Sequence, residues 1–88
     1  MNTLVVKRDG SREPYDPEKI DRVVVAAGVT PDQATELVAR MSAWLKNKNV
    51  NEISSLELRD KVIEELRNTD SYAANMFEWY QKTKEKTS

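Results

Sequence analysis

No cysteine and no histidine occur among the 88 residues of the chain. Their absence excludes disulfides, thiolate or imidazole metal sites, thiol nucleophiles and serine–histidine triads. The two glycines, Gly10 and Gly28, cannot form the glycine-rich loop of a P-loop ATPase. No apolar run approaches the roughly 20 residues of a membrane-spanning helix, and the N-terminus lacks the apolar core of a signal peptide. We therefore expect a soluble, cytoplasmic protein without a membrane partner.

The charges of the two signs are nearly balanced. Lysine and arginine total 14 against 15 acidic residues, which gives a formal net charge of -1. A general binder of polyanions usually carries a broad basic surface, so this balance predicts that nucleic acid is not a partner. The length suits one domain, residues 1–88, with one modest core.

The first sixteen residues have the features of a β-hairpin. The run TLVVKRD contains β-branched residues, and SREPYD follows it after Asp9 and Gly10. An Asp-Gly pair between strands favours a hairpin because both of its residues tolerate positive φ. Pro14 cannot donate to a strand ladder, so the second strand should be short or at an edge. The pattern predicts a hairpin over residues 3–16.

The rest of the chain reads as helical. Asp16 before Pro17 is an N-cap signal, while Thr30 with Gln33 and Ser54 with Glu57 are capping boxes. Apolar residues recur with the helical period after each signal. The predicted helices cover about residues 17–28, 31–47, 55–68 and 70–85.

Two further features complete the expected fold. The segment VNEI, residues 50–53, could add a third strand to the hairpin. On the last helix the period places Ala73, Met76, Phe77 and Tyr80 on the packing face. The sequence thus predicts an α+β fold, in which an N-terminal hairpin, or a small three-stranded sheet, covers a four-helix bundle.

The cations near the start of the first helix have two interpretations. Lys19 is at the third helical position, where the helix dipole makes a cation mildly unfavourable unless an anion is bound. If Lys7 and Arg8 fold over that end, three cations meet in a small volume suited to phosphate. Alternatively, these are solvated side chains at a hairpin tip, with Asp16 as a cap and Glu13 as an ion-pair partner.

The segment VVKRDGSREPYDPEKI, residues 5–20, closely resembles the signature that opens the ATP-cone domain. This domain is the allosteric nucleotide-binding module at the N-terminus of many ribonucleotide reductases. The later segments NEISSLELRDKVIEEL and YAANMFEWYQK are similar to the family's third and closing helices, so the resemblance covers the whole chain. It implies a non-catalytic domain that binds ATP or dATP, with magnesium, and controls a ribonucleotide reductase catalytic domain or subunit allosterically. A nucleotide-dependent oligomer is also implied.

The resemblance also implies a set of site residues. Lysine and arginine would hold the triphosphate, and Glu13 and Asp16 would face the adenine or its surroundings. Ser55 is at a position where the family often has threonine, and Arg59 follows one helical turn later. Gln81 is a departure, because the family commonly has arginine there; Lys82 and Lys84 follow it. The predicted nucleotide-binding residues are Val5, Lys7, Arg8, Glu13, Asp16, Lys19, Ile20, Ser55 and Arg59.

Two other functions compete with this one. A helical protein-interaction module could dock a partner on exposed Trp44 or Trp79, and a nucleic-acid-binding domain could use the KRDGSR hairpin as a β-ribbon. The resembling family also has a transcriptional repressor branch that carries a cysteine zinc ribbon before the cone. Because this chain has no cysteine, we expect an excised reductase domain or a free-standing cone rather than that branch.

Overall fold

The computed structural model describes the backbone of residues 3–86 and the side chains as far as Gln81. Three short strands and four helices confirm the predicted α+β class. None of the helices within the described range combines the length and apolarity of a membrane span. The elements are β1 (Leu4–Val6), β2 (Arg12–Pro14), α1 (Pro17–Ala27), α2 (Pro31–Lys48), β3 (Glu52–Ser54), α3 (Ser55–Thr69) and α4 (Ser71–Lys86).

The strands form one mixed sheet in the order β2-β1-β3. Strand β1 pairs antiparallel with β2, with Val5 opposite Glu13, and parallel with β3, with Val5 opposite Ile53. The third strand therefore exists, displaced toward the start of α3 relative to the VNEI segment. Pro14 lies on the edge strand, where its missing N–H leaves no gap in the central ladder.

The hairpin loop differs from the predicted turn. Lys7 N–H donates to Ser11 O at 2.8 Å and Gly10 N–H to Lys7 O at 3.0 Å, so the loop holds three residues, Arg8 to Gly10. Of the Asp-Gly pair, Gly10 alone takes positive φ, at 87°. The Asp9 carboxylate instead accepts from Ser11 N–H at 2.9 Å and from the Ser11 hydroxyl at 2.6 Å. This arrangement matches a type I turn followed by a residue in the left-handed region.

Side chains cap the first two helices as their sequences indicate. Asp16 accepts from Glu18 N–H at 3.1 Å at the start of α1. At the start of α2, Thr30 and Gln33 exchange reciprocal hydrogen bonds of 3.1 and 3.0 Å, which completes the capping box. Such caps satisfy backbone donors that have no partner within the helix.

The third helix is capped by one half of the expected box. Ser54 accepts from Glu57 N–H at 3.1 Å. The Glu57 carboxylate instead pairs with Lys48 Nζ at 2.8 Å, on the last turn of α2. The cap residue is also the last residue of β3, so the chain passes directly from strand to helix.

Among the described residues, the core consists of two packed clusters. The larger one joins all four helices, and its buried members include Val24, Leu37, Met41, Leu66 and Phe77. The smaller one lies beneath the sheet and consists of Val5, Leu45 and Ile53. The hairpin is thus fixed onto the C-terminal half of α2 through Leu45, and the residues of its loop are exposed.

The predicted packing face of α4 is wrong in part. Ala73 and Phe77 are buried together with Ala74, but Met76 is 41% exposed and Tyr80 is 60% exposed. Helix α4 is the last element and packs against α1 and α3. A helix with neighbours on one side buries a narrow stripe, so the flanking apolar residues remain on the surface.

Candidate functional site

A cleft of about 1030 Å³ lies between the hairpin, the N-terminal ends of α1 and α3, and the side of α4. The hairpin forms one wall because β1 is central in the sheet and β2 directly precedes α1. The cleft brings together every residue that the sequence predicts for the nucleotide site. Its lining includes Val5, Lys7, Arg8, Glu13, Asp16, Lys19, Ile20, Ser55 and Arg59.

Two lysines from different elements converge on one carboxylate in this cleft. Lys7 Nζ is 3.2 Å from Glu13 Oε2, and Lys19 Nζ is 3.7 Å from Glu13 Oε1. The side chains of Lys7, Lys19 and Glu13 are 47%, 56% and 39% exposed. The two cations therefore remain accessible to a ligand while they share a partner.

The N-terminal ends of two helices border the same cleft. Asp16 and Lys19 lie at the N-terminal end of α1, and Ser55 and Arg59 lie at the N-terminal end of α3. Helix N-termini carry partial positive charge and backbone N–H donors, both of which favour phosphate. Because Ser54 provides the cap of α3, the Ser55 hydroxyl is not needed for that role.

The arginines complete the basic side of the cleft. Arg8 is in the hairpin loop, and Arg59 is on α3 with 28% of its side chain exposed. Arg59 Nη2 lies 3.8 Å from Asp60 Oδ1. Among the side chains that the structure describes, four cations, the lysines and these arginines, thus line the cleft together with the three carboxylates of Asp9, Glu13 and Asp16.

Apart from Val5 and Ile20, the apolar part of the cleft was not predicted as part of the site. Its lining includes Tyr15, Val23, Leu58, Val62, Phe77 and Tyr80. The helical period assigned most of these residues to packing stripes, and they do border the core. The missed signal is their spacing, since Val23 follows Lys19 by four residues and Leu58 follows Ser55 by three, which puts each pair on one helical face.

Two positions near the cleft refine the expected site. Gln81 lines the cleft on α4, so the position where arginine is common carries an uncharged amide here. The side chains of Lys82 and Lys84 lie outside the described residues. The Tyr15 hydroxyl is 3.3 Å from Ser42 Oγ, and burial raises the pKa of Tyr15.

The two tryptophans have different environments. Trp44 is half-buried against the smaller core cluster, and the Nζ atoms of Lys48 and Lys61 lie 5.0 and 5.5 Å from its ring centroid. Trp79 is 63% exposed and lines an apolar groove of about 270 Å³ between α1 and α4. The interaction-module alternative needs an exposed tryptophan on which a partner could dock, and of these two Trp79 is the exposed one.

A comparison with known protein families shows to which family the chain belongs. The ATP cone domain family matches residues 3–85. The chain belongs to the ATP-cone family. ATP-cone domains are regulatory and bind the nucleotides ATP and dATP. The resemblance at residues 5–20 is thereby confirmed at the level of the family.

Individual relatives of this ATP cone are repressors. It is 36% identical over 74 residues to the transcriptional repressor NrdR of Lactobacillus helveticus (strain DPC 4571), covering 80% of this chain and 48% of the relative. It is 39% identical over 77 residues to the transcriptional repressor NrdR of Chloroflexus aurantiacus (strain ATCC 29364 / DSM 637 / Y-400-fl), covering 83% and 46%. The chain thus spans about half the length of these relatives.

These relatives bear on two expectations from the sequence. The prediction that nucleic acid is not a partner is wrong, because the relatives belong to a class of proteins that act on transcription at DNA. The charge balance was counted over these 88 residues alone. Each repressor is about twice as long as the region that matches, so about half of its length lies outside that count. The expectation of a reductase as the parent protein gains no support from them either.

Proposed function

We propose that the cleft of this ATP cone binds the triphosphate and base of ATP or dATP, and that residues 1–88 act as one regulatory domain. The observation that carries the proposal is the convergence of Lys7 and Lys19, from the hairpin and α1, on one anionic group in an accessible cleft. A triphosphate offers several negative oxygens to such a pair. The proposal implies a cytoplasmic domain, because its ligands are cytoplasmic metabolites.

The walls of the cleft suit the other parts of the nucleotide. Val5 and Ile20 offer apolar contact to a base or ribose, and the Ser55 hydroxyl can donate to a phosphate oxygen. Adenine carries an exocyclic amino group that donates, so Glu13 and Asp16 are suitable acceptors. Guanine has a carbonyl oxygen at the same place and would face these carboxylates unfavourably.

Magnesium fits this site as a companion of the nucleotide. Carboxylate oxygens are suitable magnesium ligands in general. Here, however, the cations that line the cleft, among them Lys7, Lys19 and Arg59, would repel an ion that arrived without phosphate. We therefore assign magnesium coordination to phosphate oxygens, where the ion would neutralise part of the triphosphate charge.

The output of the domain is the second part of the proposal. The resemblance implies allosteric control of ribonucleotide reductase activity, whereas the named relatives support control of transcription. We favour transcriptional regulation, with nucleotide occupancy read by a further region of the natural protein. The natural full-length protein should then retain defined genomic DNA fragments in a manner that depends on dATP or ATP. A change of reductase turnover without DNA retention would favour the reductase output instead.

Thermal unfolding with four nucleotides tests the ligand. A ligand that binds the folded state alone stabilises it, by about 2.7 kcal/mol at a hundredfold excess over the Kd. We expect ATP and dATP to raise the melting temperature more than GTP or CTP in the presence of magnesium. Equal shifts for all four would indicate an unselective phosphate site.

The interaction-module alternative retains one observation in its favour, the exposed Trp79 on the α1–α4 groove. It predicts that no nucleotide changes the melting temperature. The same experiment therefore separates the two functions.

A further inference from the structure

Glu13 pairs with both of the lysines on which the proposed phosphate site depends. Its two carboxylate oxygens are divided between two ammonium groups, Oε2 toward Lys7 at 3.2 Å and Oε1 toward Lys19 at 3.7 Å. A phosphate presents the same pattern, because it too offers separate negative oxygens to separate donors. Both anions therefore compete for one pair of cations.

The position of the carboxylate is set by the sheet rather than by the lysines. Glu13 is the middle residue of β2, paired in register with the buried Val5 of β1. Lys7 follows β1 directly and Lys19 lies in the first turn of α1. The backbone of Glu13 is thus held by the strand ladder, while the lysine side chains are long and flexible.

We propose that Glu13 is a built-in competitor for the phosphate site. It pairs with Lys7 and Lys19 in the nucleotide-free domain, and the polyphosphate displaces it from both lysines when the nucleotide binds. This inference rests on the proposed function of the cleft. The exchange makes binding weaker than two open lysines would allow, since the carboxylate must lose its partners or remain close to a like charge. Glu13 would then help to set the nucleotide concentration at which the domain responds.

A second ion pair on the same sheet provides a matched control. Arg12, also on β2, pairs with Glu52 on β3. Glu52 is 45% exposed, similar to the 39% of Glu13, and it is not among the residues that line the cleft. Glu13→Gln and Glu52→Gln therefore remove the same charge from similarly exposed sites, inside and outside the cleft.

The test is a calorimetric titration of the wild type and both variants with sodium tripolyphosphate. Tripolyphosphate has no base, so it isolates the exchange at the lysines from any contact between Glu13 and adenine. We expect Glu13→Gln to bind tripolyphosphate about threefold to tenfold more tightly than the wild type, the range expected from freeing two exposed ion pairs. The affinity of Glu52→Gln for tripolyphosphate should stay within about twofold of the wild type, because the charge of Glu52 acts on the ligand across solvent in which salt screens it.

Weaker binding by Glu13→Gln would overturn the proposal and would show that the carboxylate positions the lysines for the ligand. Equal affinities for the wild type and Glu13→Gln, or no binding by either, would overturn it as well. Glu13→Ala should change affinity in the same direction as Glu13→Gln, which guards against an effect of the amide itself. A parallel titration of the wild type with ATP separates the hypotheses, because absent ATP binding contradicts the proposed function whereas an absent Glu13 effect contradicts the competitor alone.

Discussion

The molecule contains two lysine pairs that use their charge in different ways. Lys7 and Lys19 lie in the open cleft, 47% and 56% exposed, and share one carboxylate. Lys48 and Lys61, 35% and 20% exposed, flank the ring of Trp44 between α2 and α3. The first pair is open to a ligand, and the second is part of the packing.

The carboxylates around each pair show the same contrast. Lys48 pairs with Glu57 at 2.8 Å, and Lys61 with Glu64 at 3.1 Å, so each cation has an acid of its own. In the cleft the two cations share Glu13. A small domain with almost no net charge can thus still offer a site for an anion, because two accessible cations in the cleft share one carboxylate.

The largest effect is expected from charge reversal in the cleft. Lys19→Glu removes a charge-assisted contact worth about 1.5–3 kcal/mol and adds repulsion, so ATP affinity should fall at least about a hundredfold. The free energy of unfolding should change by no more than about 0.5 kcal/mol. The more favourable helix dipole would offset the new proximity to Glu13. Calorimetry with ATP and urea unfolding measure the two quantities.

Lys48→Glu is the matched control for that variant, because it makes the same charge change in the Trp44 cluster. It should leave ATP affinity within about twofold and lower stability, since Lys48 loses both Glu57 and the ring. If both reversals weakened ATP binding equally, the effect would come from overall charge, and the distinction between the two lysine pairs would fail.

Truncation of the packed tryptophan should give the next largest effect. Trp44 is half-buried against Leu45, Ile53 and the strand residue Val5. Trp44→Ala should therefore cost about 1–3 kcal/mol of unfolding free energy, less than the loss of a fully buried tryptophan. ATP affinity at temperatures well below melting should change little. A large loss of affinity with small loss of stability would place Trp44 in the binding machinery and contradict its structural role.

Much of the architecture could be predicted because its signals are local. The caps Asp16 and Thr30 act through neighbours in the chain, and the Asp9–Gly10 pair located the hairpin, although its loop holds three residues. The exposure of Tyr80 could not be predicted in this way. The same helical spacing suits a core stripe or a groove wall, and the number of elements that pack on α4 is a property of the tertiary fold.

The candidate site shows the same limit. The family resemblance named residues that the fold does bring to one cleft, among them Val5 and Arg59. The sharing of Glu13 between two lysines could not be predicted, because it depends on the distances between β2, the hairpin loop and α1. The apolar wall was missed because its residues also border the core.

The smallest predicted effect concerns Tyr15, which links the sheet to α2 through Ser42. Burial raises the pKa of Tyr15, so the folded state holds the proton more tightly than the unfolded state does. This stabilisation is fully present below the unfolded pKa of about 10 and is lost as the pH rises through the higher folded pKa. Tyr15→Phe should consequently lose less stability than the wild type between about pH 8 and about pH 11 in urea unfolding. Parallel loss in both proteins would contradict this assignment.

The most direct test of the central claim is an NMR titration of the isotope-labelled domain with ATP and magnesium, followed through backbone amide shifts. We expect the largest shifts to cluster around the cleft, at Gly10, Glu13, Lys19 and Ser55. Residues near Trp44 should serve as an internal control that shifts little. Saturation with the largest shifts in the α1–α4 groove at Ala26 and Trp79, or no shifts at any accessible ATP concentration, would contradict the claim that this cleft is the nucleotide site.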